Sequence, residues 1–461
     1  MYNRAVAVAL LLSVLVASAC AVGPDYRRPD VLLPEQWPAE LVAETRAYPP
    51  AFIRWWERFE DPTLNELVAR AVRNNFDIEA AAARVVEARS LLGVRHGGRF
   101  PTMGVGVTAE RESENDTISA SYEAGITLDY ELDLFGRLAR SEESARARLL
   151  ATAYSQDAIR LAVVTDVVVT YFNYRAVREQ ISTTEHTIVS QAEALALERS
   201  RHARGASTEL AVRQSEAELE TVRAQLPGLR SEAMQYRRAL ALLVGETAQA
   251  LSGLEVLDNT GLGPVPRELS TLPEFMPSEL LERRPDIRAA EAYLIAANAD
   301  IGAARATWFP RVNLAAILGV GAGAVGDLFG SGSGIWELAG SLSLPILDFG
   351  QRRGRLDEAE ALHELAELQY RTTIGNALRE VGDAWTDLVN ATERLEIRQR
   401  EVRARQEVVR IAARRYQAGY TPYLEVLDAR RALYQAQLSL TAAARDRIVA
   451  AANLHKALGG E

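Results

Sequence analysis

The chain is one unit written twice, which restricts it to folds in which two like halves fill equivalent positions. Asp77-Ile78-Glu79-Ala80-Ala81 returns 209 residues later as Asp286-Ile287-Arg288-Ala289-Ala290. At the same offset Leu92-Gly93 and Phe100-Pro101 return as Ile301-Gly302 and Phe309-Pro310. Farther along, the offset is 214: Phe135-Gly136 matches Phe349-Gly350, and Gly205, Leu210 and Gly245 match Gly419, Leu424 and Gly459. Five residues are therefore inserted between Pro310 and Phe349, most simply in the Gly/Ser-rich stretch 319–334. The first repeat occupies residues 61–250 and the second 278–461, joined by a Pro/Gly-rich connector at 251–277.

Each half carries a pair of alternating segments. Met103, Val105, Val107 and Ala109 form one face of the first, and Tyr122, Ala124, Ile126, Leu128 and Tyr130 one face of the segment that returns. In the second half the faces are Val312, Leu314, Ala316, Leu318 and Val320, then Trp336, Leu338, Leu342 and Leu344 with Gly340 interrupting. Strict alternation over about ten residues marks half-buried strands, and that length suits a strand crossing a bilayer. The hairpins are expected within 101–131 and 310–345, with exposed loops at 111–120 and 321–335. Four strands cannot close a barrel alone, and open edges are not tolerated in lipid, so spanning strands require an oligomer.

The rest is helical. Residues 137–204 and 351–418 are two runs of 68 without proline, each about 100 Å long as a continuous helix at 1.5 Å per residue. Ile374, Leu378, Val381, Trp385, Leu388, Leu395, Val402 and Val409 keep a four-three spacing, the seam of a coiled coil. The offset of 214 places Val164, Val167, Tyr171, Tyr174, Ile181, Ile188 and Leu195 in the matching seam. Breaks at Gly205-Ala206-Ser207 and Gly419-Tyr420-Thr421-Pro422 reverse the chain, and helices return over 209–243 and 423–458. The fold class is mainly α with a small β part, a β-hairpin and a long helical hairpin, duplicated.

Composition narrows function by exclusion. Net charge of −10 argues against nucleic acid as partner. One cysteine, Cys20, and five scattered histidines leave no disulfide framework and no metalloprotease spacing. No nucleophile motif or phosphate loop is present, so no enzyme, cofactor or metal is expected, and four methionines make no relay for soft metals. Residues 1–19 read as a signal peptide: Arg4, an apolar stretch over 5–16, then Ala17-Ser18-Ala19. With Cys20 next, this resembles a bacterial lipoprotein signal, although Ala17 stands where Leu, Val or Ile is usual. The resemblance implies acylation of Cys20 and a lipid-anchored segment at 20–60. Ala21 rather than Asp after it agrees with outer-membrane sorting.

Five motifs in order resemble the TolC-like outer membrane factors, in the lipoprotein branch serving RND efflux pumps. They are Val22-Gly23-Pro24-Asp25-Tyr26 with Pro29, Pro34 and Trp37, and Trp55-Trp56 with Phe59, Asp61-Pro62 and Leu64. Tyr130-Glu131-Leu132-Asp133-Leu134-Phe135-Gly136-Arg137 follows. Then come Arg283-Arg284-Pro285-Asp286-Ile287-Arg288-Ala289-Ala290-Glu291, and Tyr416-Gln417-Ala418-Gly419-Tyr420 with Leu424, Leu427 and Asp428. The resemblance implies a homotrimer with a twelve-stranded barrel in outer-membrane lipid and a twelve-helix periplasmic tunnel. It implies as partners a periplasmic adaptor, met by the tips Gly205, Ala206, Ser207, Gly419, Tyr420 and Thr421, and an inner-membrane RND pump.

By the same resemblance, Leu424 and Asp428 project into a closed periplasmic end, with Arg431 and Tyr416 in the links that hold it shut. Leu424, Asp428 and Arg431 share one helix face by their spacing of four and three. Three converging carboxylates repel, which raises some pKa values or holds a cation. Arg430, where the family often has Gln, is expected to blunt that acidic ring. The expected function is passive conduction of drugs or other small solutes. A type I secretion duct and a non-conducting structural coiled-coil lipoprotein are the alternatives.

Overall fold

The structure is a computed structural model of the chain, and it describes residues 22–31, 33–34, 54–114, 117–247, 262 and 276–460. Cys20, the signal segment, Trp37 and most of the connector lie outside the described residues. In order, a 3-10 turn Trp55–Phe59 precedes α1 (Pro62–Asn74), α2 (Phe76–Gly97), β1 (Thr102–Glu114), β2 (Thr117–Leu132) and α3 (Arg137–Ala203). Then follow α4 (Glu209–Arg223), α5 (Leu226–Leu243), α6 (Pro285–Ala306), β3 (Arg311–Ala322), β4 (Gly334–Ser343), α7 (Gln351–Gln417) and α8 (Tyr423–Ala457). The two long helices begin at the residues expected and have 67 residues each.

Two expectations are corrected. The run 209–243 is two helices, because Pro227 has no N–H to donate and sits only as the second residue of a new helix, α5. The loop expected at 111–120 is mostly ladder. Arg111 pairs with Ala120 and Glu114 with Thr117, which leaves only residues 115 and 116 between the strands. Polar residues there reflect a hairpin continuing beyond its apolar band, and polarity alone does not separate that from a loop.

The chain divides into two compact units. The first holds the sheet, residues 22–31, most of α2 and α6, and the strand-proximal ends of α3 and α7. The sheet is antiparallel in the order β1-β2-β3-β4. Its register puts apolar residues in rows: Val105 faces Ile126, which faces Leu318, which faces Trp336. Gly106, Gly125 and Gly319 line the other face, and Gly125 and Gly319 approach so closely that a Cβ on Gly319 would lie 2.3 Å from the Ala124 carbonyl oxygen. Val105, Val107, Leu318, Trp336 and Leu338 of these apolar rows are exposed. Both hairpins share one register: Thr102 opposite Asp129 becomes, at the repeat offsets, Arg311 opposite Ser343.

Beside the sheet, Glu142 of α3 is buried and receives Arg99 at 2.6 Å, Arg146 at 3.0 Å and the His96 ring at 3.1 Å. Arg99 first, then His96 and Arg146, hold its carboxyl down to about 2. A depressed carboxyl stabilises the fold above its unfolded pKa, about 4.3, and that contribution disappears as pH falls toward 2. Glu142→Gln should therefore flatten the loss of thermal stability between pH 4.5 and 2 relative to the parent, read as Tm in detergent. An unchanged slope would show that the three cations do not hold this carboxylate.

The second unit contains the main helical core. Trp55, Leu64, Leu67, Val68 and Ala71 pack with Val164, Val167, Tyr171, Tyr174 and Ile181 of the α3 seam and with Leu240 of α5. In the other copy of the seam Val381, Trp385, Leu388, Leu395 and Val402 are buried. Each such side chain contributes about 1.5–3 kcal/mol when taken from water. Asp61 fixes how α1 enters this core. Its Oδ1 caps Thr63 N at 2.9 Å, and its Oδ2 accepts from Tyr171 at 2.7 Å and Arg175 at 2.5 Å.

Candidate functional site

Both long helices end the same way. Ala206 N donates to Arg201 O at 2.8 Å and Gly205 N to His202 O at 2.9 Å, with Gly205 at φ 70°. In the second half Tyr420 N donates to Arg415 O at 2.9 Å and Gly419 N to Tyr416 O at 3.0 Å, with Gly419 at φ 78°. This double bond around a left-handed residue is a Schellman end, open to glycine without strain. Thr208 then caps α4 through Ala211 N at 3.2 Å, and Pro422 precedes α8. Gly205, Ala206, Gly419 and Tyr420 are exposed, Ser207 is half-buried, and Thr421 is buried at 9% exposure. Thr421 is thus the least accessible of the six expected tip residues in the single chain.

Among the polar contacts that join the second-half hairpin to the first, two involve expected gate residues. Tyr416 at the end of α7 donates to Glu198 Oε2 at 2.6 Å, and Ser207 donates to the same oxygen at 2.7 Å. The Arg201 guanidinium lies 4.7 Å from the centre of the Tyr416 ring, and the Tyr423 ring is 5.3 Å away. Burial, then the hydrogen bond to Glu198, raises the Tyr416 pKa, so the phenol stays a donor. Beneath, Tyr423, Val426, Leu427 and Ala429 of α8 pack on Ala211 and Ala412.

The second tie is Arg431 of α8, whose Nε donates to Glu218 Oε2 on α4. The Glu218 side chain is 3% exposed, so this is a charge pair with one member taken from water. Breaking such a pair costs more than forming it gains, because the surviving charge stays desolvated. Asp428 stands 3.8 Å from Arg431 Nη1, beyond hydrogen-bond distance, and is mostly in solvent, as is much of Leu424. All four expected residues thus lie near this end, two as ties and two as an exposed leucine and carboxylate. Arg430 reaches Gln191 Oε1 on α3 at 3.4 Å, while Arg431 reaches α4.

Sequence reasoning missed Glu198 and Glu218. The repeat gives no signal for them, since their images at the offset of 214 are Ala412 and Ala432. The images of Tyr416, Asp428 and Arg431 are likewise His202, Gln214 and Ala217, so the polar set exists in one half only. No group of side chains suited to a metal ion occurs among the described residues, and no described helix is long and apolar enough to cross a membrane.

The outer membrane efflux protein family model matches residues 67–246 and 276–460. The chain is 34% identical over 460 residues to the toluene efflux pump outer membrane protein TtgF of Pseudomonas putida, covering 96% of this chain and 94% of that protein. It is 30% identical over 450 residues to the probable outer membrane lipoprotein SilC of Salmonella typhimurium, covering 97% and 96%. Among solved structures the outer-membrane channel OprN superposes with a TM-score of 0.89 at 31% identity, over 96% of this chain and 99% of that one. The chain belongs to the outer membrane efflux protein family, with the TolC-like fold and an outer-membrane location. That family and its relatives are channel proteins.

Proposed function

We propose that three copies form one passive duct for small solutes, fed by a periplasmic adaptor and an RND-type pump and closed at the helical tips. Leu424 and Asp428 narrow the path, and Cys20 carries the lipid anchor. The observation that carries the gate is the pair of ties, Tyr416 to Glu198 and Arg431 to Glu218, which fasten one hairpin to the other beside an exposed Leu424 and Asp428. A tie with a buried carboxylate favours one arrangement until something supplies the energy to separate it. Three Asp428 carboxylates around a narrow path favour cations. The membrane band is supported by the exposed apolar rows of the sheet, and the anchor by the sequence at Cys20 and the lipoprotein description of SilC.

Single-channel conductance in planar bilayers tests this reading. The parent protein should conduct little and stay mostly closed, and Asp428→Ala should reduce cation selectivity. Folded trimers that give no conductance in any variant would overturn the duct and favour a structural coiled-coil lipoprotein.

A further inference from the structure

Between the two helical hairpins lies a cavity of about 570 Å³, walled by α3 on one side and by α7 and α8 on the other. That volume falls within the roughly 300–1,000 Å³ of small-molecule sites. Thr183, Thr187 and Gln191, spaced by four along one face of α3, form the first wall. Gln191 and Tyr434 are buried at the floor, at 2% and 4% exposure. The Tyr434 hydroxyl lies 2.9 Å from Thr184 Oγ1 and 2.8 Å from Gln225 Oε1, so two contacts from the first-half hairpin fix that floor. His186 and Ser190 are exposed and mark the mouth.

The lining is polar, and no carboxylate takes part in it. Arg430 is its permanent cation, and among the described residues Arg430 forms no ion pair. Its Nη1 donates to Gln191 Oε1 at 3.4 Å, beyond the ordinary range of such bonds. The neighbouring Arg431, by contrast, is paired with Glu218. A guanidinium bonds a carboxylate or phosphate about twice as strongly as it bonds a neutral amide, so an entering anion displaces the Gln191 contact with a gain. At the mouth His186 Nδ1 lies 2.9 Å from Ser182 O. A carbonyl only accepts, so Nδ1 carries the hydrogen and Nε2 of the neutral ring is left to accept. Thr183 and Ser190 add hydroxyls, Gln437 an amide, and Val409 and Leu433 a short apolar strip. The complement of this set is a compact molecule with one anionic group and several hydroxyls.

We propose that the cavity binds a small polyhydroxylated organic anion, a sugar acid in chemistry, with its carboxylate on Arg430 and its hydroxyls among Thr183, Ser190 and His186. At about 100° per residue, Arg430, Leu433, Tyr434 and Gln437 lie on the side of α8 opposite Asp428. The occupant therefore sits away from the face that carries Leu424 and Asp428, and is an effector where conducted solute is cargo.

Its effect rests on the gate proposed above. Both hairpins wall the cavity, so the anion binds the fastened arrangement and loses a wall when the hairpins separate. A ligand that binds one arrangement alone shifts the balance toward it by 1 + [L]/Kd, about elevenfold per site at ten times Kd.

Isothermal titration calorimetry of the full-length protein in detergent, with glucuronate as the probe, tests the site. Glucuronate should bind saturably at one site per chain, and glucose and acetate at least about tenfold more weakly. Arg430→Gln should weaken glucuronate at least about tenfold, the loss of a bond to a charged group, and leave glucose unchanged. Ser190→Trp, at the exposed mouth, should abolish glucuronate binding while sparing the buried floor. No saturable heat in the parent, or parental affinity in both variants, overturns the site. Acetate as tight as glucuronate overturns the sugar-acid class. In planar bilayers, glucuronate at ten times Kd should lower the open probability of Glu218→Ala at least about tenfold, and should not do so once Ser190→Trp is added. Binding without closure overturns the coupling alone. A protein that binds glucuronate yet conducts in no variant overturns the duct beneath the proposal and leaves the cavity standing.

Discussion

Removing the carboxylate of Glu218 should open the duct. In Glu218→Ala, Arg431 loses the buried oxygen it donates to and retains only Asp428 at 3.8 Å, an exposed and weak contact. In Arg431→Ala the buried Glu218 carboxylate is left without its cation, a penalty of roughly 3–5 kcal/mol for a desolvated charge. In the proposed gate that penalty falls on the closed arrangement, and each ~1.4 kcal/mol of differential stability is tenfold in the open-to-closed ratio. Open probability in planar bilayers should rise at least about tenfold in Glu218→Ala and further in Arg431→Ala. The double variant should not exceed Arg431→Ala, because both substitutions remove one shared interaction. A Glu218→Ala channel that behaves as the parent, while Arg431→Ala leaks, would move the tie to Asp428.

The difference between the two ties and their sequence signature shows what a chain like this reveals. Long proline-free runs placed α3 and α7 nearly to the residue, and the four-three seam within each supported the helical assignment. The strand faces were legible for a related reason: alternation at Met103–Ala109 and Trp336–Leu344 reports a half-buried surface directly. The ends of elements were less legible, since Arg111–Glu114 pair across a hairpin with the same polar composition that a loop has.

Of the candidate site, Tyr416, Leu424, Asp428 and Arg431 came through family resemblance in a motif near one turn. Their partners Glu198 and Glu218 did not. Each is one acid among 62, and only the packing of α3 and α4 against α7 and α8 selects it. A tertiary ion pair has no spacing to read. Arg430 shows the converse: adjacent in sequence to Arg431, it points to a different helix, because neighbours on a helix diverge by about 100°.

Glycine substitutions at the four Schellman ends should separate backbone strain from crowding. Gly205, Gly245, Gly419 and Gly459 have φ of 70°, 70°, 78° and 94°, so alanine at any of them meets roughly 1–2 kcal/mol of left-handed strain. Their surroundings differ sharply. Nothing lies within 4 Å of a Cβ at Gly205 or Gly419, since both are hairpin tips. At Gly459 a Cβ would lie 3.1 Å from Arg283 O, and at Gly245 only 2.1 Å from Asn74 O. Arg283 is the repeat image of Asn74, so the two contacts are one joint made twice. Each joint is latched beside the glycine: Asn75 Nδ2 donates to Leu243 O at 2.8 Å, and its image Arg284 donates to Ala457 O at 2.9 Å. A methyl at Gly245 cannot be accommodated by rotating a side chain, because the obstacle is backbone. The end of α5 must move off α1, which strains the Asn75 latch and adds about 1–3 kcal/mol of overpacking to the conformational strain. Tm in detergent should therefore fall most in Gly245→Ala, less in Gly459→Ala, and least and equally in Gly205→Ala and Gly419→Ala. Equal losses at all four positions would mean that φ alone decides, and that the joint at Asn74 yields to a methyl group without resistance.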